Sequence, residues 1–549
     1  MIEFKKRSII SSIIVLLLLL SACGRTTTDD HGELVPSITI YSSLPEANLV
    51  NYEMAEEVAE ELRALGVDAV AQPTDFAVLL DILYDAEEAN YDAYTIGWSG
   101  RVERLDPDMF IHSINHSDNA GFGGNNTDRY RSNVFDELAD AQRQEMDIDL
   151  RRQLVFDAQR VLAEDVPRVT LYSRANIQTY NKELFAEVIN IPGEGLFNEW
   201  TPFYVEPLTD KTVLTVASNV NIDEINPLTS LSVYGWRNLR LIYDKLVRLS
   251  PSIEPVPWAA TSWEVVNDTT IDVVLRSGMT FHDGVPVTVE DVKFSYDFFV
   301  EQEVGYFASF LVPIDNIEVL DGETLRFNLK YAYAPFITNT LAQIPILPKH
   351  IWENIDNPKE YSNYDAIGSG PFKLERFETG VELVTSKFED YWYPPVIDGY
   401  IFQIFASPET IITALQLEQV DMVSYDLIPA HISLIKDNTD GSFDHLEITE
   451  ANDIGFFYLG MNNARPPFDN KAFRIAVAHL VDYDYAIDVL LDGYGARGGG
   501  GLVIAASNEF WHNPDVPIYD TYDPQKARDI LAEAGFTWDS QGRLRMPKE

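Results

Sequence analysis

Cysteine is almost absent from this 549-residue chain, in which Cys23 is the only one. No intrachain disulfide can therefore form. Basic residues are also few, since 40 Lys and Arg stand against 87 Asp and Glu and give a formal net charge of −47. That balance argues against binding to nucleic acid and against electrostatic attachment to anionic lipid. The acidic residues are spread along the chain, a pattern typical of a protein kept soluble outside the cell.

The apolar run near the N-terminus is too short to cross a membrane comfortably. It covers Ile9 to Leu20, follows three basic residues and leads into Leu20-Ser-Ala-Cys23. Small residues before a cysteine resemble a bacterial lipoprotein signal. We expect residues 1–22 to be a signal peptide and Cys23 to carry a lipid that anchors the protein to the membrane. The polar residues 23–37 would form a flexible tether.

Motifs of catalysis and metal binding are missing as well. The nine histidines are scattered, and the spacing of His112 and His116 is weak evidence for a metal on its own. His282 lies in Phe281-His-Asp-Gly284, where Asp-Gly suits a turn and no nucleophile–base pair stands nearby. We therefore expect no enzymatic activity, no cofactor and no metal site.

The remaining length calls for at least two lobes, because residues 23–549 are too many for one hydrophobic core. Strand-like and helix-like segments alternate in two blocks, 38–206 and 212–549, which a short linker at 207–211 joins. The pattern predicts an α/β fold. Predicted elements include a helix over 53–65 that Gly66 ends, two helices that meet near Asp147, a helix over 289–300, and a short strand from Val169 to Tyr172.

Several stretches of the second block carry a family likeness. They are Leu275-Arg-Ser-Gly278, Phe281-His-Asp-Gly284, Gly368-Ser-Gly-Pro-Phe372, Glu389-Asp-Tyr-Trp392, Pro466-Pro-Phe468 and Tyr522-Asp-Pro524. Together they resemble family 5 of the bacterial extracellular solute-binding proteins, which includes dipeptide-, oligopeptide- and nickel-binding proteins. The first block resembles the C-terminal part of the same family, through Tyr91-Asp92, Gly97-Trp98, Asp106-Pro-Asp108 and Leu162-Ala-Glu-Asp165.

The order of the two parts is thus inverted, and the chain reads as a natural circular permutant. The resemblance implies a two-lobed, periplasmic-binding-protein-like (type II) α/β fold with an extra subdomain near 255–365. The first lobe would combine about 212–455 with 170–206, and the second lobe about 456–549 with 38–169. The new termini would lie at an exposed hairpin, and the old ones would be joined at 207–211. A rearranged gene with a broken product is the rival explanation.

The resemblance also implies a function and a set of contacts. The chain would be an extracytoplasmic lipoprotein, periplasmic or at the cell surface, and a monomer that binds peptides between its lobes and delivers them to the permease of an ABC importer. The predicted ligand-binding residues are Phe76, Trp98, Ser99, Arg101, Asn219, Asn221, Tyr306, Tyr425 and Asp426.

Position 101 departs from the family pattern. Oligopeptide-binding relatives hold the amino terminus of the ligand with an acid three residues after the Trp, where this chain has Arg101. Arginine favours a carboxylate or phosphate, although a salt bridge to Glu103 or Asp106 would explain it equally well. A different solute therefore stays open: an oligosaccharide, an opine-like conjugate or a metal chelate. So do a sensor lipoprotein without transport and, from another class, a secreted hydrolase.

Overall fold

The computed structural model describes residues 32–85, 89–98, 106–121, 123–230, 232–252, 254–304, 307–497 and 510–548. Its strands are β1 (Ile38–Ser43), β2 (Ala69–Thr74), β3 (Ala93–Trp98), β4 (Arg168–Asn181), β5 (Phe185–Ala186), β6 (Glu206–Pro207), β7 (Val213–Ser218), β8 (Val247–Leu249), β9 (Pro255–Pro257), β10 (Ala260–Asn267), β11 (Thr270–Leu275), β12 (Ile314–Val319), β13 (Thr324–Leu329), β14 (Phe372–Glu378), β15 (Glu382–Lys387), β16 (Gly399–Ile404), β17 (Met422–Val423), β18 (Leu446–Asn452), β19 (Phe456–Met461), β20 (Gly495–Ala496), β21 (Thr537–Trp538) and β22 (Leu544–Arg545).

The α-helices alternate with these strands, which confirms the predicted α/β class. They are α1 (Leu49–Leu65), α2 (Phe76–Leu80), α3 (Asn133–Gln144), α4 (Ile148–Asp165), α5 (Thr201–Tyr204), α6 (Val233–Ile242), α7 (Val289–Glu301), α8 (Ala308–Leu311), α9 (Lys349–Trp352), α10 (Pro408–Gln416), α11 (Pro429–Asp437), α12 (Lys471–Ala478) and α13 (Pro524–Glu533). Among the described residues, no helix is both long and apolar enough to span a bilayer.

Local signals fix several helix ends where the sequence predicted them. Gly66 ends α1 in the left-handed region, at φ 100°. Asp147 caps α4 through its side chain, which accepts from two backbone N–H groups. Thr288 and Asp291 form a reciprocal capping box at the start of α7.

A sheet of 12 strands runs through the molecule in the order β14-β15-β16-β7-β17-β4-β19-β3-β1-β2, with β18 and β20 also paired to β4. The strands β16, β7 and β17 are parallel, and we call them with β14 and β15 the first half-sheet. The strands β2, β1 and β3 are parallel as well, and with β19 they form the second half-sheet.

Strand β4 belongs to both half-sheets. Its residues 168–172 pair with β19, and its residues 175–181 pair with β18. The predicted strand from Val169 to Tyr172 was therefore wrong in extent, because the strand continues without a break to Asn181. At this point the two half-sheets are connected covalently by the continuous strand β4 and by the segment that joins β18 to β19.

A separate antiparallel sheet, in the order β10-β11-β13-β12, lies within residues 260–329. Its apolar side and helix α7 share one continuous core with the first half-sheet, which includes Val216, Ile271, Tyr296, Phe327 and Phe402. The small sheet is thus packed onto the first half-sheet rather than held by a linker alone.

The two ends of the described chain meet in the core of the second half-sheet. Val35, Ile38 and Leu544 are buried in one apolar cluster. The backbone N–H of Val35 donates to the carbonyl of Leu544 at 3.0 Å, and the N–H of Leu544 donates to Gly66 at 2.9 Å. A Cβ on Gly66 would collide with the carbonyl oxygen of Gly542, so the close approach requires glycine there.

Candidate functional site

The strand directions place two sets of carboxyl ends opposite each other, and we call the space between them the cleft. Both β3 and β4 are antiparallel to β19, so β3 runs in the same direction as β4. Strand β17 is antiparallel to β4. The carboxyl ends of β3 and β17 therefore point toward each other along β4, as do those of their parallel neighbours.

The register gives the width of this cleft. Trp98 at the end of β3 is opposite Phe456, and the next residue of β19 is opposite Tyr172 of β4. Beyond β17, the N–H of Leu427 donates to the carbonyl of Ile177 at 2.7 Å. Tyr172 and Ile177 are five residues apart along β4, which at the rise of an extended strand is about 17 Å. Ligands of open α/β sheets bind at such carboxyl edges.

The described residues predicted for the site lie beside these carboxyl ends. Trp98 ends β3 and is half-buried, and Phe76 follows β2 with 54% of its surface exposed. Asn219 and Asn221 follow β7 and are both exposed, and the Asn221 amide donates to Asp223. The side chains of Phe76 and the two asparagines are thus exposed to solvent at the edges of the half-sheets.

Tyr425 and Asp426 follow β17 but differ in burial. Tyr425 is 6% exposed and packs with Ile411 and Leu427 in the cluster beneath α10. Burial and the charge of Glu409 raise the pKa of its hydroxyl. Asp426 is exposed. Of this pair, Asp426 is therefore the residue with more surface open to solvent at the edge of the half-sheet.

The other predicted site residues lie outside the described residues. They are Ser99, Arg101, Tyr306 and the lipidation site Cys23. Their roles stay predictions from the sequence. The effect of having Arg101 where oligopeptide-binding relatives have an acid is likewise a prediction.

An ion-pair cluster missed in the sequence joins helices α3 and α4 to the segment that follows β13. Arg151 binds Asp106 through two nitrogens, at 2.9 and 2.6 Å, and the hydroxyl of Thr338 donates to the same carboxylate at 2.9 Å. Arg143 binds Asp108 and lies over the ring of Tyr333, 5.7 Å from its centroid.

The electrostatics of this cluster depend on its arginines. Burial alone would raise the pKa of Asp108, but Arg143 holds it below its ordinary value. Asp106-Pro-Asp108 forms a turn, because the N–H of Asp108 donates to the side chain of Asp106. No sequence pattern indicated that the two acids also meet arginines of α3 and α4.

His112 and His116 come together with Asp140, and three donor atoms lie within 4.8 Å of one another. The N–H of Asp118 donates to Nδ1 of His116, so its neutral ring carries hydrogen on Nε2, which faces Asp140 at 3.5 Å. Arg143 lies 3.3 Å from Nε2 of His112. Burial and Arg143 lower the pKa of His112 to about 4. A neighbouring guanidinium and this tautomer favour a hydrogen-bonded network over a cation site.

His282 connects two of the stretches that carried the family likeness. Its Nδ1 accepts from the N–H of Gly368 at 3.2 Å, and its Nε2 lies 3.0 Å from the carbonyl of Gly370. Burial lowers the pKa of His282 to about 4. A neutral imidazole that bridges two backbone groups acts in folding rather than in chemistry.

We expect His282→Ala to lower the free energy of unfolding by about 1–3 kcal/mol, since two buried backbone groups lose their partner. An unfolded histidine titrates near 6.5, so the contribution of neutral His282 is complete above that pH and is lost as the pH falls toward 4. Urea unfolding at pH 7.5 and pH 5 would measure both effects. The variant should lose less stability than the native protein between these pH values, and an equal loss would contradict the assignment. His350→Ala, which removes a half-exposed pair with Asp283, is the control.

Comparison with known proteins gives matches in one family. The model of the bacterial extracellular solute-binding proteins, family 5 Middle, matches residues 254–549, which is more than half of the chain. The oligopeptide-binding protein AppA of Bacillus subtilis is 28% identical over 274 residues, 48% of this chain and 48% of the relative. The dipeptide-binding protein of Escherichia coli is 28% identical over 59% of this chain and 63% of the relative. The chain thus spans less than two thirds of the length of these relatives.

Two solved structures are also similar. The substrate-binding protein CtaP of Listeria monocytogenes gives a TM-score of 0.49 at 23% identity, over 60% of this chain and 66% of that one. NikZ of Campylobacter jejuni in complex with Ni(L-His) gives 0.48 at 22% identity, over 62% and 66%. On the extent of the family-model match, the chain belongs to family 5 of the bacterial extracellular solute-binding proteins.

Proposed function

We propose that this protein is the extracytoplasmic binding component of an ABC importer, that it captures peptides in the cleft between the half-sheets, and that it has no enzymatic activity. The observation that carries the proposal is the convergence of two sets of parallel-strand carboxyl ends along β4. Such an edge collects ligand contacts from both sides. The names of the relatives, an oligopeptide-binding and a dipeptide-binding protein, favour a peptide.

Closure of the two halves would occur where few strands connect them. The crossing segment consists of β4 near residues 173–175 and the break between β18 and β19 at residues 453–455. Changes of backbone angle there would swing one half-sheet against the other and exclude water from the ligand. Asp106, Arg151 and Thr338 would limit that motion, because they already join helix α4 to the segment that follows β13.

The circular permutation and the lipid anchor form part of the same proposal. The meeting of Val35 with Leu544 supports a second lobe built from both ends of the chain. The lipid on Cys23 would hold the binding protein close to the membrane that contains its permease. A rearranged chain that begins at residue 212, connects Lys548 to Glu33 through a short link and ends at residue 208 should have the same free energy of unfolding as the native chain.

The test of function is to identify what the protein binds. The protein without residues 1–23 is purified under native conditions, and the ligand released by denaturation is identified by mass spectrometry. Released peptides support the proposal. A released saccharide or metal chelate would redirect it to another solute, and turnover of an added peptide would contradict the absence of enzymatic activity.

We expect Trp98→Ala to weaken peptide binding by about 1–3 kcal/mol, because a central aromatic contact is lost. Isothermal titration with a bound peptide measures the change. Tyr364→Ala is the matched control, since Tyr364 is 62% exposed and lies beside Phe377 of β14, the outer edge strand of the first half-sheet. Equal affinities of the native protein and the Trp98 variant would remove Trp98 from the ligand site.

A further inference from the structure

A cavity lies between helices α10 and α11, and its lining includes none of the described residues predicted for the peptide cleft. Its volume is about 650 Å³, and it is lined by residues between 409 and 443, from the two helices and the turn after α11. Both helices pack on one apolar cluster that includes Ala217 of β7 and Val423 of β17. The volume is within the range of about 300–1,000 Å³ that is typical of sites for small molecules.

The floor of this cavity, which we call the α10–α11 groove, is apolar. Ile412 of α10 and Phe443 of the turn after α11 are 6% and 5% exposed and belong to the same cluster. Leu434 of α11 also lines the groove, but 49% of its surface is exposed. The groove therefore offers apolar surface that a ligand could cover.

Three acids line the groove at its rim. Glu409 lies in the first turn of α10, Asp437 ends α11, and Asp440 lies in the turn that follows, and all three are exposed. Among the described residues that line the groove, none is Lys or Arg. Lys436 is next to Asp437 in the chain, but its ammonium group donates to the hydroxyl of Tyr494 at 2.8 Å. The charges of the lining therefore favour a cationic ligand.

A buried histidine of the lining lacks a hydrogen-bond partner. His431 of α11 is 7% exposed, and its Nδ1 is buried without a partner among the described residues. The hydroxyl oxygen of Ser442, which also lines the groove, is buried without a partner in the same part of the chain. A buried polar group without a partner costs free energy, which a hydrogen bond to a ligand would recover.

The protonation state of His431 decides which group it can bind. Burial lowers the pKa of its ring, although the charge of Glu409 acts in the opposite direction. The ring is therefore neutral at pH 7, and a neutral imidazole has one nitrogen that accepts a hydrogen bond. An accepting nitrogen beside carboxylates fits a ligand that donates, such as a primary ammonium group.

Hydrogen bonds hold the turn after α11 in place. The side-chain amide of Asn438 donates to Asp444 at 2.7 Å, and its side-chain oxygen accepts from the N–H of Phe443 at 2.9 Å. The N–H of Ser442 donates to Asp440 at 3.0 Å. The wall that contains Asp440, Ser442 and Phe443 is thus ordered before a ligand binds, which lowers the entropic cost of binding.

We propose that the α10–α11 groove is a second binding site, for a small organic cation with an apolar body, such as an arylalkyl amine. The ammonium group forms charge-assisted hydrogen bonds with a carboxylate at the rim and with the accepting nitrogen of His431. The apolar body covers Ile412 and Leu434. The site lies outside the peptide cleft, so it does not depend on the proposed function.

Two other occupants fit the groove less well. A protein partner would bury about 800 Å² on its side of a stable interface, whereas four apolar side chains line the groove in the described part of the chain. A bare metal ion needs several donor atoms close together. Among the described residues, only His112, His116 and Asp140 form such a group, and none of them lines the groove.

The test uses three fluorinated probes that share one aromatic body. They are 4-fluorophenethylamine, the neutral 4-fluorophenethyl alcohol and the anionic 3-(4-fluorophenyl)propionate. Broadening of the fluorine NMR line of each probe is titrated against the purified protein at pH 7.5 and physiological ionic strength, because salt suppresses nonspecific attraction to an acidic surface.

The variants separate the groove from the rest of the acidic surface. Ala430→Phe fills the groove from an exposed position, and His431→Leu removes the accepting nitrogen. Glu418→Gln is the matched control, since Glu418 is an exposed acid just past the end of α10 that does not line the groove. Thermal unfolding checks that all variants fold.

The native protein and the Glu418 variant should bind the amine about tenfold to a hundredfold more tightly than the alcohol, the range of a hydrogen bond to a charged group. The propionate should bind least. Ala430→Phe and His431→Leu should each weaken amine binding at least about tenfold, and Trp98→Ala should leave it unchanged. Equal binding of amine and alcohol, or unchanged amine binding in Ala430→Phe and His431→Leu, would overturn the site. So would an equal loss in Glu418→Gln or in Trp98→Ala, because the amine would then bind the general acidic surface or the cleft.

Discussion

Replacement of Arg168 by Met is expected to lower the free energy of unfolding by about 3–5 kcal/mol, because it leaves a buried carboxylate without its partner. The side chain of Arg168 is 1% exposed and that of Asp128 is fully buried. The guanidinium binds Asp128, donates to Asn115 at 3.1 Å and lies over the ring of Tyr458, 4.9 Å from its centroid. Met fills similar volume but leaves the charge of Asp128 uncompensated.

Urea unfolding, followed by tryptophan fluorescence and by circular dichroism, measures this loss. Burial raises the pKa of Asp128 even with Arg168 present, and without the arginine it would rise further. The variant should therefore be less destabilised at pH 5 than at pH 7, because Asp128 then takes up a proton. Asp128→Asn in the same chain should recover part of the loss. Arg131→Met, which removes an exposed arginine, should change stability by less than about 0.5 kcal/mol. A loss below about 1 kcal/mol in Arg168→Met would contradict the expected role of the pair.

The elements that the sequence predicted well are those with local signals. Helices α1, α4 and α7 have capping residues next to their apolar spacing, and their ends lie within a few residues of the prediction. Strand β4 was predicted only in its apolar start. The polar residues Ser173, Arg174 and Asn176 interrupt the apolar pattern in the rest of the strand. That part is extended because it pairs with β18. That pairing joins residues more than 260 positions apart, so no local pattern could show it.

The residues of the candidate site also divide into those with a local sequence signal and those without one. Trp98, Asn219 and Asp426 could be named because they follow strand-like runs in stretches with a family likeness. Asp453 and Arg174 follow no motif, and only the pairing of β18 and β19 with β4 brings them together at the crossing segment. The contact of Thr338 with Asp106 is another example, since it joins residues that are 232 positions apart.

Replacement of Leu544 by Ala is expected to lower the free energy of unfolding by about 2–4 kcal/mol, although it lies only five residues before the end of the chain. Leu544 is 1% exposed and packs in the core of the second half-sheet with Val35 and Ile38. Its own N–H and carbonyl bond to Gly66 and Val35, so the terminal segment is tied to the core on both sides. Loss of the side chain leaves a cavity that the anchored backbone cannot close.

Urea unfolding of Leu544→Ala beside Ile38→Ala tests whether the two ends stabilise one unit. Both variants should shift the same transition, because both residues belong to one apolar cluster. Leu208→Ala is the control, since Leu208 is 50% exposed in the segment that joins the two blocks, and it should shift stability by less than about 0.5 kcal/mol. If Leu544→Ala matched this control while Ile38→Ala did not, the end of the chain would be a free tail. The second lobe would then close without it, which would contradict a second lobe built from both ends of the chain.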